Sequence, residues 1–315
     1  MDDILGNRKI TQEFITNIFD HQDGENLNIL YNKAAKNQRN CNLPLSFECD
    51  LYQPFSYAVV DNCPSCGFRR DESKRQYNPL YIQNIIEYKL RDISKYNIGG
   101  INCFSKSDCK FYELEHLLGI VSKYGVDVNV KFSSIDDYFE INNNDVVDSI
   151  IIDYMNTTYL PSNVNPLKEF KNNKAKVDEI TTTNDKINIV YELMINYNES
   201  YHDITNTLNN LIKINPKTIQ VIGYDPFCDT PGEYHPQYKK DYLQKMLAIL
   251  RVILPDVKIK LQYATNNNNN ITENMKVALN CITGIYPDKT SKQFNADKII
   301  KYTDEYNKIN NIKIS

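Results

Sequence analysis

The sequence predicts an α/β protein: a (β/α)8 TIM-type barrel behind an N-terminal helical leader. Two observations carry this. Eight short apolar runs recur between residues 43 and 286, and amphipathic helical patterns fill most of the gaps between them. No Gly-rich phosphate fingerprint follows any of the runs, which disfavours an open doubly wound sheet, the runner-up for the same alternation. A chain of 315 residues is long enough for one large domain or two medium ones. No linker divides it, and no internal repeat exists beyond the alternation. The leader is therefore placed at 1–42 and the barrel at 43–315.

The leader reads "TQEFITNIF" and then "ENLNILYNKAAKNQ", both helical in period. The strand candidates are "LPLSFEC" (43–49), "GINCFS" (100–105), "VDVNVKF" (126–132), "VDSIIIDYM" (147–155), "INIVYELMI" (187–195), "TIQVIGYD" (218–225), "VKIKLQY" (257–263) and "CITGIY" (281–286). Their shortness and apolar character suit strands covered by helices. "NPLYIQNIIEYKLRDISKY" opens a helix with Asn78 as cap and Pro79 in the first turn. "CKFYELEHLLGIVSKYG" stops at Gly125, suited to a left-handed cap. Further helices start near Ser200, in "HPQYKKDYLQKMLAILRVILPD", in "ITENMKVALN" and in "NADKIIKYTDEYNKI".

Composition excludes some classes. The net charge is −4 with no lysine/arginine cluster, which argues against a nucleic-acid partner. No apolar run reaches ~18 residues and "MDDILGNRKI" is polar, so neither a membrane span nor a signal peptide is read. Eight cysteines without a secretion signal suit a reducing cytoplasm, where CxxC means metal or redox chemistry. "NNNNN" at 266–270 reads as loop drift.

In a barrel of this kind active groups lie where strands end and βα loops begin. Cys49 is read as the last residue of the first strand, with Cys63 and Cys66 in the long loop that follows. Three thiolates on this C-x13-C-x2-C spacing suit a four-iron cluster with one iron left open. Zinc with Cys41 or a water as the fourth ligand fits equally well. The bland alternative makes Cys49 a small buried residue and the CxxC a surface hook.

"CPSCGFRRD" resembles the "CxYCGxRRD" run of radical S-adenosylmethionine (SAM) enzymes of the biotin synthase branch. That branch includes methylornithine synthase, the FeFe-hydrogenase maturase of the radical-SAM step and a radical SAM protein of Fe-hydrogenase cofactor synthesis. The helical leader, "LPLSFEC", "GYDPFCDTP" (like "GxGPFxPxxDTP"), "KMLAILRVILPDVKI" (like "KMxALxRxLLPDxxI") and "LNCITGIYPDKT" are similar to further family segments, from about residue 9 to 290. The resemblance implies a full barrel and a 4Fe–4S cluster on Cys49, Cys63 and Cys66. It implies SAM bordered by Phe68, Ser105 and Asp108, with Asp225 in the pocket wall. A reductant protein such as ferredoxin or flavodoxin would supply one electron, and SAM cleavage would yield a 5′-deoxyadenosyl radical. The radical would act on a small-molecule substrate in biosynthesis of a cofactor or unusual small molecule.

The chain departs from the family pattern at several points. Thirteen residues, not three, separate Cys49 from Cys63, and Ser65 stands where an aromatic precedes the third cysteine. "SGED" after the second strand aligns with Ser105, Lys106, Ser107 and Asp108; a glutamate after the fourth aligns with Met155; "GLPGQT" after the fifth aligns with "NYNES". Each lost charge-assisted hydrogen bond is worth roughly 1.5–3 kcal/mol. Asp108, Asp153 and Glu192 stand close enough in sequence to compensate. These departures support a second reading: a barrel that no longer cleaves SAM and acts as scaffold, carrier or precursor-binding protein, with zinc or no metal in the cysteine loop.

Other residues are weighed similarly. Cys103 and Cys109 suit either a second mouth site or packing. Asp225 and Asp229 flank "PFC" as pocket wall or as a Pro-set turn, and Cys228 faces the cavity or packs. Of four histidines, only His235 is placed near the mouth; His21, His116 and His202 read as structural or exposed.

Overall fold

The computed structural model describes residues 9–20, 24–52, 84, 87, 90, 98–104, 111–132, 136–140, 144–154, 176–182, 186–195, 199–223, 240–262, 271–285 and 296–310. Eight parallel strands close into one barrel in chain order: β1 (Ser46–Tyr52), β2 (Ile98–Phe104), β3 (Asp127–Lys131), β4 (Ser149–Asp153), β5 (Asn188–Ile195), β6 (Thr218–Gly223), β7 (Lys258–Gln262) and β8 (Cys281–Ile285). All eight sequence-predicted strands are present. Among the described residues two helices precede them, α1 (Gln12–Asp20) and α2 (Gly24–Asn40). The helices between and after the strands include α3 (Phe111–Val121), α4 (Asp137–Glu140), α5 (Tyr201–Ile214), α6 (Lys240–Ile253), α7 (Ile271–Val277) and α8 (Ala296–Ile309). No helix among the described residues is long and apolar enough to cross a membrane.

Local chemistry sets the helix ends. Ser200 caps α5 in a box with Asp203: each side chain bonds the other's backbone N–H. Asn215 closes α5 in the left-handed region at φ 50°, and Gly125 does the same after α3 at φ 64°.

Alternation along the strands separates two environments. Phe47, Cys49, Leu51, Ile101, Cys103, Val128, Val130, Ile219, Val221, Ile259, Leu261 and Ile282 join the apolar layer between barrel and helices. The alternate residues face the lumen, and there the chain is polar. In-register partners run Asp50, Asn102, Asn129, Ser149, Asn188; then Val190, Thr218, Lys258; then Lys260, Cys281, Ser46. Followed once round, this register returns to β1 eight residues earlier, the stagger of an eight-stranded barrel whose inward side chains stack in layers of four from alternate strands.

The layers follow directly. Glu48, Asn129, Val190 and Lys260 form a lower layer. Asn102, Ile151, Gln220 and Thr283 lie above it, and Asp50, Lys131, Glu192 and Gln262 form the upper layer nearest the C-terminal mouth. Gly100, beneath the lower layer, has no room for a side chain: a Cβ would stand 3.2 Å from both Glu48 Cγ and Asn129 Nδ2.

The N-terminal end of the barrel is closed by a buried arginine. Arg251 of α6 donates to the carbonyls of Pro255, Val257 and Ala278, each at 2.8 Å, and to Asn280 Oδ1. Asn37 of α2 donates to the Arg251 carbonyl at 3.2 Å, and Gln38 donates to the Leu279 carbonyl at 3.0 Å. This is the structural content of the "LRVILPD" stretch: a cation held by backbone oxygens that pins α2, α6 and the entry to β8 together.

Candidate functional site in the barrel lumen

The first strand corrects one sequence expectation. β1 does not end at Cys49; it runs on to Tyr52, with Cys49 in its middle. Cys49 sits between Glu48 and Asp50, which face the lumen, so its sulfur faces the opposite way, into the apolar layer, fully buried. Burial, with Asp50 and Glu48 close by, pushes its thiol well above the ordinary range. In a polar lumen the acid at position 50 is an interior strand position, so the strand continues past Cys49.

Cys41 is displaced too. It follows α2 at the N-terminal end of the barrel, where its thiol donates to the Gln38 carbonyl at 3.1 Å and accepts from Asn280 Nδ2 at 3.6 Å. The mouth is at the other end. Cys103 is buried on the outward face of β2, its thiol pushed up to about 12 by burial and then by Asp50. Cys63, Cys66, Phe68, Ser105, Asp108, Asp225, Cys109, Cys228, Asp229 and His235 lie outside the described residues. No group of three or more metal-ligating side chains occurs among the described residues. Of the three implied cluster cysteines, only Cys49 lies among the described residues, and there it faces the apolar layer.

What the structure does assemble is a stack of charged and amide side chains inside the barrel. In the lower layer Lys260 Nζ lies 2.8 Å and 2.9 Å from the two Glu48 oxygens, and Lys258 Nζ approaches at 3.5 Å. Burial pushes Glu48 up, but Lys260 and Lys258 outweigh it and hold the carboxyl below the usual range.

Two residues further along the same face, Asp50 has different company. Asn102 Nδ2 donates to Asp50 Oδ1 at 2.8 Å, and Asn129 Nδ2 donates to Asn102 Oδ1 at 2.9 Å. Gln262 Nε2 lies 3.4 Å from Asp50 Oδ2. A backbone N–H from Gly284 completes the set. Gly284, at φ 79°, sits where the β1–β8 register shifts by one residue; the bulge aims its N–H inward, and only glycine takes that φ freely. These partners are neutral. Burial dominates, and the Asp50 carboxyl rises to about 6. A carboxyl at that value can hold or release a proton near neutrality, as a general acid or base requires.

Across the barrel, Lys131 Nζ pairs with Glu192 Oε1, and Gln220 Nε2 donates to Glu192 Oε2 at 2.7 Å. Glu192 is buried, while Lys131 keeps about a quarter of its side chain exposed and so marks the solvent side of the layer. Asp153 ends β4 in register with Glu192. Of the three acids expected to compensate for altered SAM positions, Glu192 is thus inside the lumen.

Sequence reasoning missed Asp50, Glu48, Asn102, Asn129, Lys131, Gln220 and Lys260. The signal was present: "VDVNVKF" and "VKIKLQY" alternate polar and apolar residues strictly. In a closed barrel covered by helices the polar positions have only the lumen to face.

No protein-family model matches the chain. The uncharacterized protein MJ0785 of Methanocaldococcus jannaschii is 27% identical over 210 residues, which is 64% of this chain and 55% of that protein. The matched region is thus about half the length of that relative. Among solved structures, methylornithine synthase (PylB) superposes with a TM-score of 0.75 at 11% identity, covering 96% of this chain and 94% of that one. The FeFe-hydrogenase maturase HydG from Carboxydothermus hydrogenoformans gives 0.72 at 14% identity, covering 96% and 76%. At these identities the likeness is one of fold, and it extends over nearly the whole chain. The chain has the complete (β/α)8 barrel fold of methylornithine synthase and of the maturase HydG.

Proposed function

We propose that this protein handles a small molecule inside its barrel, as a divergent barrel of the radical SAM type. The observation that carries the reading is the upper lumen layer: Asp50, Lys131, Glu192 and Gln262 face inward beneath the C-terminal mouth, where barrel enzymes keep their reacting groups. A purely structural lumen is filled with branched apolar side chains. This one buries three carboxylates and Lys260, with Lys131 partly exposed beside them, a costly arrangement that makes sense where a polar ligand is received.

Two chemical outcomes fit such a barrel. In the first it is an enzyme that generates a 5′-deoxyadenosyl radical for biosynthesis of a cofactor or unusual small molecule, with a 4Fe–4S cluster on Cys63, Cys66 and a third ligand, and a small redox protein as reductant. In the second it has lost SAM cleavage and binds a precursor or carries it. The outward-facing Cys49 favours the second, because the expected third thiolate then points away from the lumen. Anaerobic reconstitution with iron and sulfide decides between them. A labile-sulfide cluster that yields 5′-deoxyadenosine from SAM and dithionite supports the enzyme. One zinc per chain without labile sulfide, or no metal, supports the binding protein.

A further inference from the structure

Three buried oxygens on the lumen face have no hydrogen-bond partner among the described residues: Ser46 Oγ towards the N-terminal end, and Gln220 Oε1 and Thr283 Oγ1 higher up. Gln220 is 1% exposed and Thr283 0%. By register both belong to the layer directly beneath Asp50 and Glu192. The Gln220 amide cannot simply be turned round. An ionised carboxylate only accepts, so the nitrogen must face Glu192 Oε2, at 2.7 Å, and the carbonyl oxygen is left bare. Leaving a buried acceptor unmet is unfavourable, and such groups are satisfied by water or by a ligand.

From the two upper oxygens and the charges above them, we propose that the upper lumen is a site for a small ligand bearing a protonated amine, received between Asp50, Glu192 and the Gln220 carbonyl. This rests on the reading of the lumen as the ligand site and names the chemistry of its occupant. A primary ammonium carries three donors and no acceptor, which matches a wall of carboxylates and a bare carbonyl. With both acids ionised, the upper layer holds two negative charges against the single positive charge of Lys131. An anion would meet Asp50 and Glu192 as like charges. A neutral apolar ligand would leave the Gln220 carbonyl unmet.

The probe is 1,4-diaminobutane, with 1,4-butanediol as neutral isostere and succinate as the dianion, all at matched ionic strength on the full chain. Calorimetric titration of the wild type should show binding of the diamine alone. Gln220→Leu and Asp50→Asn should each weaken binding roughly tenfold. Binding of succinate or butanediol as tightly as the diamine would overturn the proposal. So would a wild-type protein that binds none of the three compounds, a result that needs no variant to fold. These measurements are made without iron, sulfide or SAM, so loss of the radical reading leaves them standing, and their failure leaves that reading untouched.

Discussion

Glu48 and Asp50 are two carboxylates on the same face of the same strand, both buried, and they behave oppositely. Glu48 stands between two lysines and is held ionised; Asp50 stands among amides and a backbone N–H and is pushed up to about 6. The difference lies entirely in what neighbouring strands contribute at each level. The lower layer neutralises its charge internally and closes the barrel. The upper layer leaves a carboxyl poised to change charge, one level from two unmet oxygens. The lumen therefore divides by depth into a structural half and a receptive half.

That contrast can be broken from its stable side first. Lys260→Met should be the most damaging change, leaving Glu48 with Lys258 alone. Removing one partner of a buried pair costs about 3–5 kcal/mol, readable as a lower urea midpoint.

Asp50→Asn should act next, with the opposite sign. The folded-state pKa of Asp50 is raised from its ordinary value near 3.8 to about 6, so the native state binds more protons than the unfolded chain in that window. Stability from this group falls as pH rises through the window, by up to roughly 3 kcal/mol. Asp50→Asn removes that loss, so the variant should gain on the wild type above about pH 6 and match it near pH 4. Glu48 slopes the other way, losing its contribution as pH falls through its depressed value. It does so in both proteins, so the difference between them isolates Asp50.

Gly284→Ala should cost about 1–2 kcal/mol, since alanine at φ 79° is strained. Cys49→Ala should be mildest, about 1 kcal/mol for a small buried side chain, and metal content should be unchanged. Cys63→Ala or Cys66→Ala should empty the cysteine loop of metal if it holds any.

Much of the fold was legible in the sequence, because apolar runs and helix ends such as the Gly125 stop and the Ser200 cap are local signals. The end of β1 was not. Strand boundaries were read from where apolar character fades, and Asp50 ended the run by that criterion. In this barrel the lumen face is polar, so an acid continues the strand, and the same misreading turned Cys49 toward the mouth. The candidate site was missed for a related reason. Asp50, Lys131, Glu192 and Gln262 are spread over more than 200 residues, and only the register of four different strands brings them to one level.

The most direct test is a carbon-13 NMR titration of the Asp50 carboxyl in the full chain, assigned by its loss in Asp50→Asn. The account predicts a midpoint near 6, with Glu48 titrating well below the ordinary range. An Asp50 midpoint at or below about 4, the value of an unperturbed aspartate, would contradict it.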